Sequence, residues 1–196
     1  MRLAGAGVRW AAIRWQTLMK TPLVALVLLL VLAVTAGPTL SMAQAADLDQ
    51  AAITAAGVFR RADAGLEKLF TSSAGFAVFP TVAKGALGVG AAHGKGVVFQ
   101  NNVIVADTGL TQVTIGLQLG GQSYSEIIFF ETPEALGRFK EGQFVLSAQV
   151  SAVAIAEGVA ANAKYVDGVA VFTIPKGGLM YEASVGGQKF SYRARR

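Results

Sequence analysis

The stretch Gly90-Ala91-Ala92-His93-Gly94-Lys95-Gly96 is where this sequence comes nearest to a chemical motif, and it falls short of one. A phosphate-cradling loop needs four residues between its glycines, then a lysine and a Ser or Thr for magnesium; here three intervene and Gly96 takes the hydroxyl's place. Gly85, Gly88 and Gly90 also miss the dinucleotide pattern, since His93 stands where the third glycine belongs. His93 is the single histidine, so a Ser-His-Asp triad or a zinc site would have to be built around it. Its setting among glycines gives it a structural or solvent-facing part instead. No Gly-x-Ser-x-Gly elbow is present. Carboxylates are scattered singly apart from Asp47/Asp49 and Glu131/Glu134, and both pairs stand at helix starts, where the helix dipole favours them. An enzyme would have to rest on an isolated Glu126 or Asp107. The expectation is a protein that is not an enzyme and takes no metal and no cofactor.

The elements that carry these residues are strands. From Gly75 to Phe130 short apolar runs are separated by glycines, with Asn101-Asn102 and Gly120-Gly121 as the expected tips of successive hairpins, because such pairs adopt the positive φ of a primed turn. Val113, Ile115, Leu117 and Leu119 alternate with Thr114, Gly116 and Gln118, which predicts a strand with its apolar face buried. Gly168–Pro175 reads as a strand, Lys176-Gly177-Gly178 as a turn, and Gly186-Gly187 as the start of a last hairpin. After Gln143 the period-two positions Phe144, Leu146, Ala148 and Val150 read as a strand, followed by a loop or second strand. A faint echo of Gly75–Pro80 in Gly168–Phe172 suggests two strands with equivalent places in one sheet. Twenty of the 23 glycines follow residue 43, as expected where a strongly coiled sheet needs bulges, sharp bends and close backbone approach.

Two helices cover the sheet in this reading. Leu48, Ala52, Ala55, Phe59, Ala62, Leu66 and Leu69 form one stripe over Asp47–Phe70, with Arg60, Arg61, Asp63, Glu67 and Lys68 opposite. Thr132 caps a short helix that begins at Pro133 and runs to about Glu141. The fold class expected is therefore α+β: a strongly coiled antiparallel sheet or partly closed barrel, covered by an N-terminal amphipathic helix and a short helix near 133–141.

Ahead of this domain, Arg2, Arg9, Arg14 and Lys20 precede the apolar run Pro22–Ala36, and small residues follow at 41–45. This is a secretory leader pattern, residues 1–43, with cleavage after Ala43 or Ala45; an uncleaved anchor is the alternative. Removing those four cations from 17 basic residues, and none of the 12 acidic ones, leaves 13 against 12 in a single domain over 44–196. The pI near 9.7 thus gives no support to nucleic-acid binding through a broad basic face. Three of the remaining cations form a basic C-terminal tail, Arg193, Arg195 and Arg196. Cysteine is absent, which removes disulfides, thiolate metal sites and lipidated cysteine. Export to a bacterial periplasm, or secretion, is the expected localisation, with anchoring in the inner membrane if the leader stays.

The order GFAVFP, VAKGALGVGAAHGKGVVF, GLTQVTIGLQLGGQSYSEIIFF, PEALGRFKEGQFVLSAQVS and VAVFTIPKGGLMYEASVGG resembles the SYLF domain family over residues 50–192. That family includes the lipid- and actin-binding domain of a yeast actin-patch protein and many exported bacterial proteins. The resemblance implies a non-catalytic lipid-binding domain, with a phospholipid or membrane surface as partner. Candidate headgroup contacts are Arg60, Arg61, Lys84, Lys95 and Lys176, since basic side chains on glycine-flanked turns can approach phosphate closely. Phe76, Phe79, Phe129 and Phe130 would line an apolar groove between helix and sheet. Actin is not an expected partner, because a bacterial periplasm lacks filaments of it. The alternative is a structural or protein-interaction module of the cell envelope with no lipid ligand.

Overall fold

A computed structural model of the chain describes residues 22–142, 145–146 and 153–196. It separates into two units, Met1–Gln44 and Ala45–Arg196. Helix α1 runs Pro22–Ala62 and α2 Leu66–Ser72; strands β1 (Gly75–Gln100) and β2 (Val103–Phe130) follow. Helix α3 (Pro133–Lys140), two-residue strands β3 (Val145–Leu146) and β4 (Val153–Ala154), a 3-10 turn at Ala160–Asn162 and β5 (Val169–Ala194) complete the order. The fold is α+β: a five-stranded sheet in the order β1-β2-β5-β3, mostly antiparallel and not closed, with β4 parallel to β5.

The expected chain of hairpins is replaced by three very long strands. Only Asn101-Asn102 turns, with φ of 51° and 61°, the pair of positive values that a type I′ hairpin needs. Gly120 and Gly121 lie within β2, paired with Ala86 and Gly85 on one side and Met180 and Leu179 on the other. Lys176-Gly177-Gly178 and Gly186-Gly187 likewise lie inside β5. These glycines serve bending and close packing: a Cβ on Gly120 would stand 2.3 Å from the Leu179 carbonyl oxygen. The expected strand from Gln143 is present at Val145–Leu146; Phe144, Ala148 and Val150 lie outside the described residues.

A flat strand of 26 residues would extend about 85 Å. Instead β1 folds back on itself. A Cβ on Gly75 would meet the Phe99 carbonyl oxygen at 2.7 Å, one on Gly94 the Val82 side chain at 2.9 Å, and one on Gly96 the Val78 carbonyl oxygen at 2.4 Å. The first and last thirds of β1 therefore touch, and the middle of the ribbon forms an arch. Against the helices α1 and α2 pack Phe76, Val78, Val97, Phe99, Ile127, Phe129 and Phe172; on the other face, Ala77, Phe79, Val98, Ile128, Phe130 and Phe190 pack with Leu136 and Phe139 of α3. The Gly75 and Gly168 echo is out of step by one residue in the sheet, since Phe130 pairs with both Gly75 and Val169. Phe79 and Phe172 consequently join opposite cores.

The helix expected over Asp47–Phe70 breaks at Asp63. Its carboxylate accepts from the Gly65 amide at 2.8 Å and the Ala160 amide at 2.7 Å, so the side chain competes with helix continuation and ties the break to the 3-10 turn. These hydrogen bonds hold the Asp63 carboxyl below its ordinary value. Thr132 caps α3 as expected, its hydroxyl accepting from the Ala135 amide.

A candidate lipid-facing surface

The alternation on β2 is present, but its sense is reversed. Val113, Ile115, Leu117 and Leu119 are exposed, whereas Thr114 and Gln118 are buried. Leu117 is 70% exposed, Leu87 81% and Leu179 89%. Directly paired residues of antiparallel strands share a face. The pairs Leu87↔Leu119, Val89↔Ile115, Ala91↔Val113 and Gly121↔Leu179 therefore form one continuous outward apolar surface across three strands. Tyr181, Ala183 and Val185 are in register with Leu119, Leu117 and Ile115.

The reversal has a local cause. At the crown of the arch Gly88 alone opposes the three residues 116–118, since pairing passes from Leu87↔Leu119 to Val89↔Ile115. Gln118 fills the bulge from inside: its amide nitrogen donates to the carbonyls of Gly88 (3.1 Å) and Thr114 (3.0 Å), and its oxygen accepts from the Thr114 hydroxyl (2.8 Å). Gly90 is required opposite them, because a Cβ there would lie 2.4 Å from the Thr114 hydroxyl. With its polar side chains bonded to one another and to backbone on the concave side, the ribbon turns its aliphatic residues to the outside.

Charge follows the same division. β1 carries no carboxylate, β2 has only Asp107 and Glu126, and β5 has only Glu182. His93 and Lys95 are exposed beyond one foot of the arch, where His93↔Thr111↔Lys189 makes a polar row. At the other foot Lys176 donates to the Pro80 carbonyl at 3.0 Å and the Thr81 hydroxyl at 2.9 Å.

The other residues singled out in the sequence are dispersed. Lys84 is buried. Arg61 is exposed on α1, while Arg60 bonds Glu67 at 3.1 Å and lies 3.8 Å over the Phe70 ring. Phe76 and Phe129 belong to the core under α1 and α2, Phe79 and Phe130 to the core under α3, so the four line no common groove. A groove of about 780 Å³ does lie between α1 and the β1–β2 tip, lined by Ile53, Ala56, Arg60, Phe76, Phe99, Val103, Ile104 and Arg195 among others. Both its arginines are engaged, Arg60 by Glu67 and Arg195 by Asp49 and Asp107. The outward residues of β1 and β5, notably Leu87 and Leu179, were the part of the surface that sequence reasoning missed. Their signal is an apolar residue next to a glycine on strands adjoining a polar-lined bulge.

The arch lies largely within the segment that comparison identifies. Residues 111–195 match the Ysc84 family model, described as Las17-binding protein actin regulator. No curated protein matches the chain. The match begins at the foot of the arch on β2 and runs through α3 to the end of β5. Residues 111–195 thus carry the Ysc84 domain, the SYLF family that the ordered motifs of the sequence resemble.

Proposed function

We propose that this chain is a non-catalytic lipid-binding domain that works at a membrane surface of the bacterial cell envelope, delivered there by its N-terminal leader. The observation that carries this reading is the reversed alternation of β2, which places Val113, Ile115, Leu117 and Leu119 in solvent and Thr114 and Gln118 inside. Contiguous exposed aliphatic surface is costly in water and marks a site of contact with lipid or with another protein. Strands with apolar residues outward and polar residues inward are the pattern of sheets that face lipid. Of the two activities that the SYLF resemblance implies, lipid binding fits this surface, and actin regulation has no counterpart in a compartment without actin filaments.

A second reading, an envelope protein-interaction module, draws on the sheet edge: β5 between Ile174 and Gly187 has β2 on one side and no second ladder among the described residues. Flotation of the full chain with vesicles, beside the variant Leu87→Asp/Leu117→Asp that alters only the exposed face, separates the two. Recovery with phosphatidylglycerol vesicles and weaker recovery at high salt are expected. A chain that stays at the bottom of the gradient with every vesicle composition contradicts the lipid reading and leaves the interaction module.

A further inference from the structure

We infer that the arch itself is the membrane-entering element, seated on an anionic phospholipid leaflet with its outward face at the boundary between headgroups and acyl chains. This deepens the lipid-binding reading and rests on it. Three observations fix the partner and the depth. The crown around Gly88 is aliphatic, with Leu87, Leu117, Leu119 and Leu179 outward, so the contacting layer is hydrocarbon. Cations stand beyond one foot, Lys95 and Lys189, on stems long enough to keep their ammonium groups among phosphates while the crown goes deeper; Lys176, beyond the other foot, has its ammonium held by Pro80 and Thr81. Carboxylates are scarce here: the only one on the arch strands between Thr108 and Ser125 or their partners is Glu182, in register with Gln118.

Depth is limited by the backbone. The outer edge of β1 at Leu87–Ala91 and that of β5 at Leu179–Gly187 have no ladder partner among the described residues. Unpaired amides and carbonyls are not tolerated within the hydrocarbon core, so an open three-stranded arch does not cross it. It lies instead in the interface, roughly 5–10 Å deep, as amphipathic helices do. The concave side suits this position, because Gln118 and Thr114 already have partners on the protein.

The chain has no cysteine, so one environment-sensitive fluorophore is attached at Leu117→Cys and, separately, at Glu141→Cys, which is exposed at the end of α3. Each full-length labelled chain is mixed with phosphatidylglycerol vesicles carrying a lipid-borne quencher. The inference expects a blue shift and quenching at position 117 and neither at 141. The double variant Leu87→Asp/Leu117→Asp should keep the wild-type circular dichroism, since both residues are exposed, and lose the arch's share of binding, about tenfold or more. A chain that floats while its label at 117 remains unshifted overturns this inference alone and leaves membrane association to another part of the molecule. A chain that never floats overturns the lipid reading as well.

Discussion

The Gln188 side-chain amide donates to Glu126 Oε2 at 3.0 Å, joining two buried side chains far apart in sheet register. Glu126 pairs along the ladder with Thr173 of β5, and Gln188 lies fifteen residues further along that strand. The bond therefore exists only because the ribbon curls back. Glu126 Oε1 and Gln188 Oε1 are both buried acceptors without a donor. One proton on Glu126 supplies that donor and completes a reciprocal acid–amide pair.

Burial pushes the Glu126 carboxyl up from 4.5 to about 7, with Gln188 opposing the shift. A carboxyl whose folded-state pKa is raised keeps the protein most stable below its ordinary value, and that stability is lost as pH rises toward the folded-state value. Between about pH 4.5 and 7 the loss is of the order of 3 kcal/mol. Urea midpoints of the wild type should fall across this window, and Glu126→Gln should remove most of the fall, since a glutamine pairs with Gln188 without a charge. Equal wild-type midpoints at the two ends of the window would refute the buried-proton account.

The two sides of the sheet should respond differently to truncation. Leu117→Ser removes an exposed side chain and should change stability by no more than about 0.5 kcal/mol. Phe79→Ala empties a fully buried position against Phe190 and should cost about 3–5 kcal/mol. Denaturant titration decides this, and a large cost at Leu117 would mean that the apolar face of β2 is inward after all.

Glycines in β1 divide in the same way. Gly96→Ala forces a Cβ against the Val78 carbonyl oxygen and the Phe79 ring, so the thirds of β1 must separate; a loss of about 2 kcal/mol or more is expected. Gly85→Ala meets no atom within 4 Å and should be nearly neutral. Similar melting temperatures for the two variants would argue against the fold-back of β1.

Arg195 holds the end of β5 to both α1 and β2. It donates to both oxygens of Asp49 at 2.6–2.7 Å and to Asp107 Oδ1, and these carboxylates raise its already high pKa. Arg195→Ala should cost about 1–2 kcal/mol and raise amide exchange in α1 near Asp49, whereas Arg193→Ala, exposed, should do neither.

Period and residue type made the strands, the cap at Thr132 and the turn at Asn101-Asn102 legible in the sequence, because each depends on neighbours a few positions away. The sense of the β2 alternation was not legible. It is decided by Gln118 reaching Gly88, thirty residues earlier, and by contacts such as Val78 with Gly96 that exist only once β1 has folded. Glycine pairs at 120–121 and 186–187 read as turn tips because turns and sheet bends draw on the same conformational freedom. Among the proposed headgroup residues, Arg60 and Lys176 carried the right charge, but their partners Glu67, Pro80 and Thr81 appear only in three dimensions.

Amide hydrogen exchange of the full chain, with and without phosphatidylglycerol vesicles, reads the arch separately from the leader. Slower exchange is expected on vesicles at residues 85–91, 113–121 and 177–187, with α3 at 133–140 unchanged. Vesicle-bound chains whose arch exchanges as fast as in solution would contradict the assignment of the arch as the lipid-facing surface.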